Sequence, residues 1–299
     1  MSESGKIATE GGLRSNGVVK QNAPELPLIS IITVVRNGAV HLRETIESVL
    51  GQNWPNIEYI IIDGDSTDGT LDIIRSYDQR IDYWASEPDK GIFDAMNKGI
   101  TLAHGELIGL LNADDWYEPG AIETAAAAFC EMKLPGIYYG DKYFVQVDMG
   151  LTYEFPASLE FWRGMTICHQ AMFVHHDVYL CLGCYDLTYR LAADFDFFVR
   201  AIRKDVTFIP LNRYVVNFRD DGASSKALVS GNREIGAIIR KEYGCFSSIY
   251  LKNLFTTAYG LTAVAVSSLV RWVMGKRIQH WARSCYYRLF TCRGDHVQR

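Results

Sequence analysis

Residues 105–123 read GELIGLLNADDWYEPGAIE, an apolar run that ends in polar and acidic side chains. The run from Glu106 to Leu111 predicts a short buried strand, because it is brief, apolar and bounded by turn-forming residues. Asn112, Asp114 and Asp115 follow it directly. Open α/β sheets bind their ligands just beyond the carboxyl ends of the strands, so we expect this acidic segment to lie in a binding site.

The same alternation of short apolar runs and amphipathic stretches reaches upstream to Leu28 and downstream past the acidic segment. It predicts strands over 28–35, 57–63 and 81–86. It predicts helices over 41–50, 70–77, 92–103, 121–132 and 194–203. Strands that alternate with helices indicate a mostly parallel sheet covered by helices, so the fold class is α/β.

Composition restricts the function classes. The chain has 299 residues, 48% of them hydrophobic, and a formal net charge of −5. This charge argues against a nucleic-acid-binding protein, which needs a basic face for the phosphates. The seven cysteines are odd in number and scattered. Such cysteines favour reduced thiols, and we therefore expect a cytoplasmic protein.

The two ends of the chain differ from its middle. Residues 1–26 are polar and glycine-rich without the apolar core of a signal peptide, so we expect a flexible lead-in before a main domain over 27–243. Residues 244–299 are expected to form a helical, basic extension. Within it, Leu254 to Val270 carries no charge and several arginines follow. This pattern favours an interfacial helix at the cytoplasmic face of a membrane, with a buried helix as the alternative.

Four segments occur in a fixed order: SIITVVRN from Ser30, QNWPNIEYIIIDGDSTDGT from Gln52, DKGIFDAMNKGI from Asp89, and the segment quoted first. Together they resemble glycosyltransferase family 2, in particular bacterial exopolysaccharide, O-antigen and colanic-acid glycosyltransferases. The resemblance is continuous from Leu28 to Phe129 and looser to Phe218. It implies a GT-A fold, a mixed sheet flanked by helices with a C-terminal helical extension.

The resemblance also implies an activity. Members of this family invert the anomeric centre as they move a sugar from a nucleotide diphosphate donor. Here the favoured donor is a UDP-sugar, and the acceptor is a glycan or a polyprenyl-diphosphate-linked glycan of a surface polysaccharide. The implied location is the cytoplasm or the cytoplasmic face of the inner membrane.

Several positions match the donor-binding residues of the family. The chain reads Asp63-Gly64-Asp65-Ser66 where many members read DDGS, so glycine replaces the carboxylate that usually meets the uracil imide. By the resemblance, Asp63 or Asp65 would then bond the uracil imide in place of the missing carboxylate. The remaining implied donor-binding residues are Thr33, Val35, Asn37 and Lys98, the last offsetting the charge of the diphosphate.

Asn112-Ala113-Asp114-Asp115 resembles the DxD region of the family with its first Asp replaced by Asn. The amide of Asn112 can still bond a ribose, but it adds no negative charge. Mg²⁺ and Mn²⁺ prefer oxygen ligands such as carboxylates and substrate phosphates. We therefore expect a Mn²⁺ or Mg²⁺ ion held chiefly by Asp115, with Asp114 beside it.

The catalytic base is implied by a helix that reads EDYDLWLR in the family. Here the matching residues begin at Ala193, so the family's Glu is lost and Asp194 remains as the base, with Asp196 as the second candidate. A plain helix N-cap is the structural alternative for Asp194. His169 follows Cys168 in a stretch that related sequences share. We expect His169 to orient the acceptor or contact the diphosphate, unless it is only structural.

Competing classes fit less well. A nicotinamide-dependent dehydrogenase needs a glycine-rich turn after its first strand, and Gly38 is a single glycine. A sugar-phosphate nucleotidyltransferase also needs a glycine-rich, basic first loop. The replacements at Asn112 and Ala193 leave one rival, a degenerate member that binds nucleotide sugars or scaffolds a polysaccharide-assembly complex.

Overall fold

The computed structural model describes residues 9–147, 150–219 and 228–259, together with residues 262 and 297–298. Its strands are β1 Thr9–Gly11, β2 Ile29–Val35, β3 Ile57–Asp63, β4 Tyr83–Ser86, β5 Leu107–Asn112, β6 Trp116–Tyr117, β7 Gly136–Gln146, β8 Leu151–Phe155, β9 Met172–His175, β10 Thr207–Arg219 and β11 Val297–Gln298. Its helices are α1 Leu42–Leu50, α2 Thr70–Ser76, α3 Ile92–Leu102, α4 Ala121–Met132, α5 His176–Leu182, α6 Ala193–Arg203 and α7 Leu228–Tyr243. A further helical stretch covers residues 248–259.

The strands form one mixed sheet in the order β1-β4-β3-β2-β5-β9-β7-β10-β6. Strands β4, β3, β2 and β5 are parallel, so their carboxyl ends meet at one edge. Strand β9 then runs antiparallel to β5, and β7 runs antiparallel to β9. The polar residues after β2, β3 and β5 therefore lie side by side, with β9 and β7 extending the same surface.

Two apolar layers cover the sheet. Neighbouring residues of β2 alternate between them, since Ile31 belongs to the cluster with Leu42 of α1 and Ile32 to the cluster with Met96 of α3. Helix α3 lies close to the strand at Gly99, where an added Cβ would come within 2.4 Å of Ile32. Strands β2, β3, β4 and β5 are buried on both faces, and this explains their nearly continuous apolar sequence.

Most predicted elements of the main domain are confirmed. The strands predicted over 57–63 and 106–111 are β3 and β5. The helices predicted over 41–50, 92–103, 121–132 and 194–203 are α1, α3, α4 and α6, each within one residue at either end.

The expectation of a flexible lead-in over residues 1–26 does not fit the described residues 9–26. Strand β1 pairs with β4, and Arg14 forms an ion pair with the buried Glu58. Lys20 donates to Asp82 at 2.9 Å. These charges neutralise carboxylates at the amino-terminal end of the sheet, a reason for order that the polar composition concealed.

The C-terminal expectation is tested only in part. Residues 248–259 form a helix, whereas most of the stretch from Leu254 to Val270 lies outside the described residues. Within the described portion, every helix is too short or too polar to span a bilayer.

Candidate active site

The acidic turn after β5 separates the two aspartates. The amide of Asp115 donates to the carbonyl of Asn112, and the Thr45 hydroxyl of α1 lies 2.8 Å from the carbonyl oxygen of Asp115. The turn directs the side chain of Asp115 inward, where it is 1% exposed, and leaves Asp114 half-buried.

Both carboxylate oxygens of Asp115 accept hydrogen bonds from the protein. Gln170 donates its side-chain amide at 2.8 Å, and the backbone amide of Arg219 donates at 3.0 Å. Burial, together with the neighbouring Asp114 carboxylate, raises the pKa of Asp115 well above its usual range. This placement argues against Asp115 as the principal metal ligand, because an ion would have to reach a buried group whose oxygens are already used. Asp114 is the better placed carboxylate.

Arg219, at the end of β10, holds the turn from the other side. Its Nε donates to the carbonyl oxygen of Asp114 at 2.8 Å, and its guanidinium pairs with Glu44 of α1. The guanidinium carbon also lies 4.4 Å from the centroid of the Trp116 ring. With its backbone bond to Asp115, one residue thus fixes the conformation of the whole turn.

His169 connects the turn to helix α6. Its Nε2 lies 3.4 Å from Oδ1 of Asn112, and its Nδ1 lies 3.3 Å from Oδ2 of Asp194. The side chains of His169 and Asp194 are 12% and 17% exposed. The three predicted residues are therefore neighbours along one wall of a cleft, although 57 and 25 positions separate His169 from its two partners in sequence.

Asp194 lies in the first turn of α6, and it is not the N-cap. The N-cap is Ala192, which makes no side-chain capping bond, so the alternative given for Asp194 does not describe its position. Asp196, the second candidate base, is buried and pairs with Arg200 at 2.7 Å. Its side chain is therefore engaged within α6.

A cavity of about 240 Å³ opens beside Asp194. Its polar lining includes Lys142, His169 and Gln170, and its apolar lining includes Leu191 and Phe218. The ammonium of Lys142 lies 4.8 Å from the centroid of the Phe218 ring. The cavity can therefore hold a molecule with both apolar and anionic parts within reach of Asp194.

Three of the predicted donor-binding residues are buried in the sheet and have no surface for a ligand. Thr33 is 0% exposed and its hydroxyl pairs with that of Tyr59 at 3.0 Å. The side chain of Val35 packs in the apolar layer under α1. The buried Asp63 accepts hydrogen bonds from the Ser66 amide and hydroxyl and from the Ser86 hydroxyl. These residues shape the ends of β2 and β3, and this corrects their predicted role.

Asn37 and Asp65 are exposed just beyond the carboxyl ends of β2 and β3. Asn37 accepts from the Thr67 amide, which ties the two loops together. The space above Gly64 is filled by Asp89 from the loop after β4, since a Cβ on Gly64 would lie 2.1 Å from Oδ2 of Asp89. Asp89 was not predicted as a site residue. It places a carboxylate where many family members carry the aspartate that Gly64 replaces.

Lys98 is engaged by its own loop and does not point freely toward a diphosphate. Its ammonium lies 2.8 Å from Glu87 and 3.7 Å from Asp94, and it donates to the carbonyl of Pro88 at 3.0 Å. The predicted role of Lys98 in offsetting diphosphate charge therefore lacks support. Lys142, Gln170 and Arg219 were missed as site residues, because only their distant partners bring them to the cleft.

Known proteins resemble the chain over this region. The model of glycosyl transferase family 2 matches residues 30–174. The PGL/p-HBAD biosynthesis glycosyltransferase of Mycobacterium tuberculosis is 32% identical over 209 residues, which cover 68% of this chain and 81% of that protein. The chain belongs to glycosyl transferase family 2. An uncharacterized glycosyltransferase of the same organism is 34% identical over 181 residues, or 58% of this chain and 69% of that protein.

Solved glycosyltransferase structures share the fold. Staphylococcus aureus TarS 1–349 in complex with UDP-GlcNAc superposes with a TM-score of 0.58 at 15% identity, covering 86% of this chain and 87% of that one. The mannosyltransferase PcManGT of Pyrobaculum calidifontis, in complex with GDP-Man and Mn²⁺, superposes with a TM-score of 0.57 at 15% identity. The match covers 93% of this chain and 90% of that one. The predicted GT-A fold is confirmed, and the protein is a family 2 glycosyltransferase.

Proposed function

We propose that this family 2 member is an inverting glycosyltransferase that transfers a sugar from a UDP-sugar to a glycan or polyprenyl-diphosphate-linked acceptor in surface polysaccharide synthesis. The row Asn112, His169 and Asp194 carries the proposal, because one imidazole connects the Asp194 carboxylate to the acidic turn. An in-line displacement needs its base and its leaving group on opposite sides of the reacting carbon.

Asp194 is the general base in this proposal. It takes the proton of the attacking acceptor hydroxyl as the new glycosidic bond forms, and the sugar to diphosphate bond breaks on the opposite face. His169 positions the carboxylate through the 3.3 Å contact with Oδ2. The second oxygen, Oδ1, accepts from the Phe195 amide at 2.8 Å, so the carboxylate is oriented from both sides.

A divalent ion fits the turn through its oxygen donors. The carboxylate of Asp114 and the amide oxygen of Asn112 would hold Mn²⁺ or Mg²⁺, with the diphosphate supplying further oxygens. The bound ion would neutralise the charge that develops on the leaving diphosphate. Asp115 and Arg219 act on the ion indirectly, because they fix the turn that presents Asp114.

The donor nucleotide would lie over the carboxyl ends of β5, β2 and β3. Asn37 and Asp65 are exposed there, and the Asp89 carboxylate above Gly64 is available for a base that donates an N–H. TarS and PcManGT, which share the fold, were solved with UDP-GlcNAc and GDP-Man, respectively. A hexosyl or N-acetylhexosaminyl donor is consistent with both relatives.

The acceptor would enter through the cavity beside Asp194. Lys142 supplies a positive charge for a lipid diphosphate, and Leu191 and Phe218 supply apolar surface.

The helical stretch 248–259 exposes apolar side chains that can meet a membrane, namely Leu251, Leu254, Phe255 and Tyr259. We therefore propose peripheral contact with the cytoplasmic face of the inner membrane. Flotation with anionic liposomes tests this, and equal recovery of the full chain and a chain truncated before Leu254 in the soluble fraction would contradict it.

The rival reading, a degenerate binding or scaffold protein, rested partly on Ala193. That residue is fully buried in the apolar layer between α6 and the sheet. A side chain at position 193 would therefore not reach the surface of the site, so the loss of the family's glutamate does not count against catalysis. Asp194 remains as the proposed base.

An assay of UDP release from a panel of UDP-sugars tests the proposal. The chain is incubated with Mn²⁺ and a polyprenyl-diphosphate glycan, and NMR of the product reports the anomeric configuration. We expect Mn²⁺-dependent release and an inverted linkage. Nucleotide binding without turnover of any donor, in water or with acceptor, would favour the scaffold instead.

A further inference from the structure

Glu106, His175 and His176 lie together at the edge of the sheet opposite the cleft. Glu106 precedes β5, His175 ends β9 and His176 begins α5. Strand β5 has six residues and carries Asn112 at its other end, so the group lies roughly 20 Å from the acidic turn. Family 2 chemistry at the cleft therefore does not account for this group.

Backbone pairing makes Glu106 and His176 neighbours. Leu107 faces His175 in the antiparallel register of β5 and β9, and the His176 amide donates to the Glu106 carbonyl at 3.0 Å. Residues opposite each other on an antiparallel pair bring their side chains into contact. The sheet thus fixes two of the three side chains, and His175 is held beside them by its place at the end of β9.

One carboxylate oxygen faces both imidazoles. Oε2 of Glu106 lies 3.4 Å from Nε2 of His175 and 3.6 Å from Nδ1 of His176. One such atom from each residue forms a set within 4.8 Å of one another. Zinc bonds nitrogen and oxygen at about 2.0–2.2 Å, so a tetrahedral site separates its ligand atoms by roughly 3.3–3.5 Å. Both spacings to the glutamate match a shared ion.

A second carboxylate lies behind the same two rings. Oδ1 of Asp177 is 3.0 Å from Nε2 of His176, and its Oδ2 is 3.7 Å from Nδ1 of His175. A carboxylate on the far nitrogen of a metal-bound histidine fixes the tautomer and the ring orientation. In the tautomer whose proton lies toward Asp177, His176 presents the lone pair of Nδ1 to Glu106. Two acceptors then face each other, and a cation between them satisfies both.

We propose that Glu106, His175 and His176 bind a second divalent cation, Zn²⁺ or a similar nitrogen-preferring ion, independently of the donor cleft. Two imidazoles and one carboxylate are a ligand set that suits zinc, with water in the fourth position. The side chains of Glu106 and His176 are 31% and 44% exposed, so the ion and its water have access. The bound ion joins the start of β5 to the start of α5.

Binding requires neutral imidazoles, because protons and metal ions compete for the ring nitrogens. Nδ1 of His175 accepts from the Asp177 amide at 3.2 Å. Binding of an ion at Nε2 would move the ring proton to Nδ1, which would exchange the bond from the Asp177 amide for one to the Asp177 carboxylate, now 3.7 Å away. Glu106 also lines a cavity together with Lys133, whose positive charge lies on the same side of the site.

Titration of the full chain with Zn²⁺ against a chromophoric chelator, in excess Mg²⁺, tests the proposal. We expect saturable binding that is lost in Glu106→Gln and His176→Gln and weakened about 10–100-fold in Asp177→Asn. His104→Gln is the matched control, since the exposed His104 side chain also lies 3.0 Å from a glutamate, the buried Glu58. His169→Gln controls for zinc binding in the cleft. Both controls should bind Zn²⁺ like the wild type.

A measurement on the wild type alone covers the case in which a variant does not fold. Co²⁺ bound by this ligand set gives the strong visible absorption of a tetrahedral site, and Zn²⁺ displaces it. Absence of saturable Zn²⁺ binding, a weak octahedral Co²⁺ spectrum, or loss of binding in His169→Gln alone would each overturn the proposal. Because the assay uses neither donor nor acceptor, its result is separate from that of the transferase assay.

Discussion

Nδ1 of His169 lies 3.3 Å from the Asp194 carboxylate, and Nε2 of the same ring lies 3.4 Å from the Asn112 amide oxygen. One imidazole thus spans from the acidic turn of β5 to the first turn of α6. The ring cannot donate from both nitrogens while neutral, so its tautomer decides which of the two groups it supports. This relationship makes His169 a positioning residue for the base that we propose.

His169→Gln should lower kcat about 10–100-fold, because loss of a hydrogen bond to a charged group costs about 1.5–3 kcal/mol. The donor KM should stay unchanged, since the substitution misplaces the base without removing a proposed donor ligand. Steady-state kinetics with the cognate UDP-sugar separate the two parameters. A rise in KM at unchanged kcat would instead place His169 in donor binding.

Asp114→Asn should abolish Mn²⁺-dependent UDP binding, whereas Asp115→Asn should retain it. Asp115 already receives bonds from Gln170 and Arg219, and the Oε1 atom of Gln170 has no hydrogen-bond partner among the described residues. Rotation of the Gln170 amide can therefore accommodate an asparagine at 115. Calorimetric titration of UDP with and without Mn²⁺ measures both variants. The reverse order of effects would restore Asp115 as the principal ligand.

Arg219→Lys should weaken Mn²⁺ affinity about 10–100-fold, the usual effect of losing a group that orients metal ligands. Lysine keeps the charge, but it cannot reproduce the Nε bond to Asp114 together with the stack on Trp116. Arg213→Lys is the matched control on the same strand, where the guanidinium bonds only Thr124 and Pro119 among the contacts described. Equal Mn²⁺ affinities in the two variants would contradict the role given to Arg219.

Glu58→Gln should destabilise the fold by about 3–5 kcal/mol at neutral pH, because it breaks a buried ion pair with Arg14. Burial raises the pKa of Glu58, but bonds from Ser30 and the His104 amide, with the Arg14 charge, outweigh burial and leave the pKa below its ordinary value. A carboxyl group whose pKa is lower in the folded state stabilises the fold at pH values above its unfolded pKa of about 4.3. This contribution to the free energy of unfolding is lost as the pH falls through the folded pKa.

Urea unfolding at pH 7 and at pH 3 therefore checks this prediction. The difference between wild type and Glu58→Gln should shrink at the lower pH. Asp72→Asn serves as control, since the Asp72 side chain is 84% exposed and its pair with Arg75 lies at the surface. A difference that stays constant with pH would show that the loss is one of packing alone.

The sequence predicted the strands and helices of the donor half well, because β2, β3 and β5 are continuous apolar runs that end at polar turns. It could not decide between Asp114 and Asp115. The two are adjacent in sequence, and the choice depends on Gln170 and Arg219, which are 55 and 104 residues away from Asp115.

The same limitation explains the other corrections. A polar N-terminal segment predicts flexibility by composition, yet Arg14 is ordered by the buried charge of Glu58 across the sheet. Lys98 was assigned to the diphosphate from a motif, but Glu87 and Pro88 in the preceding loop take its ammonium. Motif positions indicate which loops form the site, whereas the partners of each side chain are set by tertiary packing.

The measurement that tests the central claim most directly is a comparison of kcat and donor Kd in wild type and Asp194→Asn, with the exposed Asp72→Asn as control. Removal of a general base should lower kcat about 10²–10⁴-fold while the Kd for UDP-sugar and Mn²⁺ stays unchanged. Retained turnover in Asp194→Asn, or a loss explained wholly by weaker donor binding, would contradict the assignment of Asp194 as the base that faces the donor across the cleft.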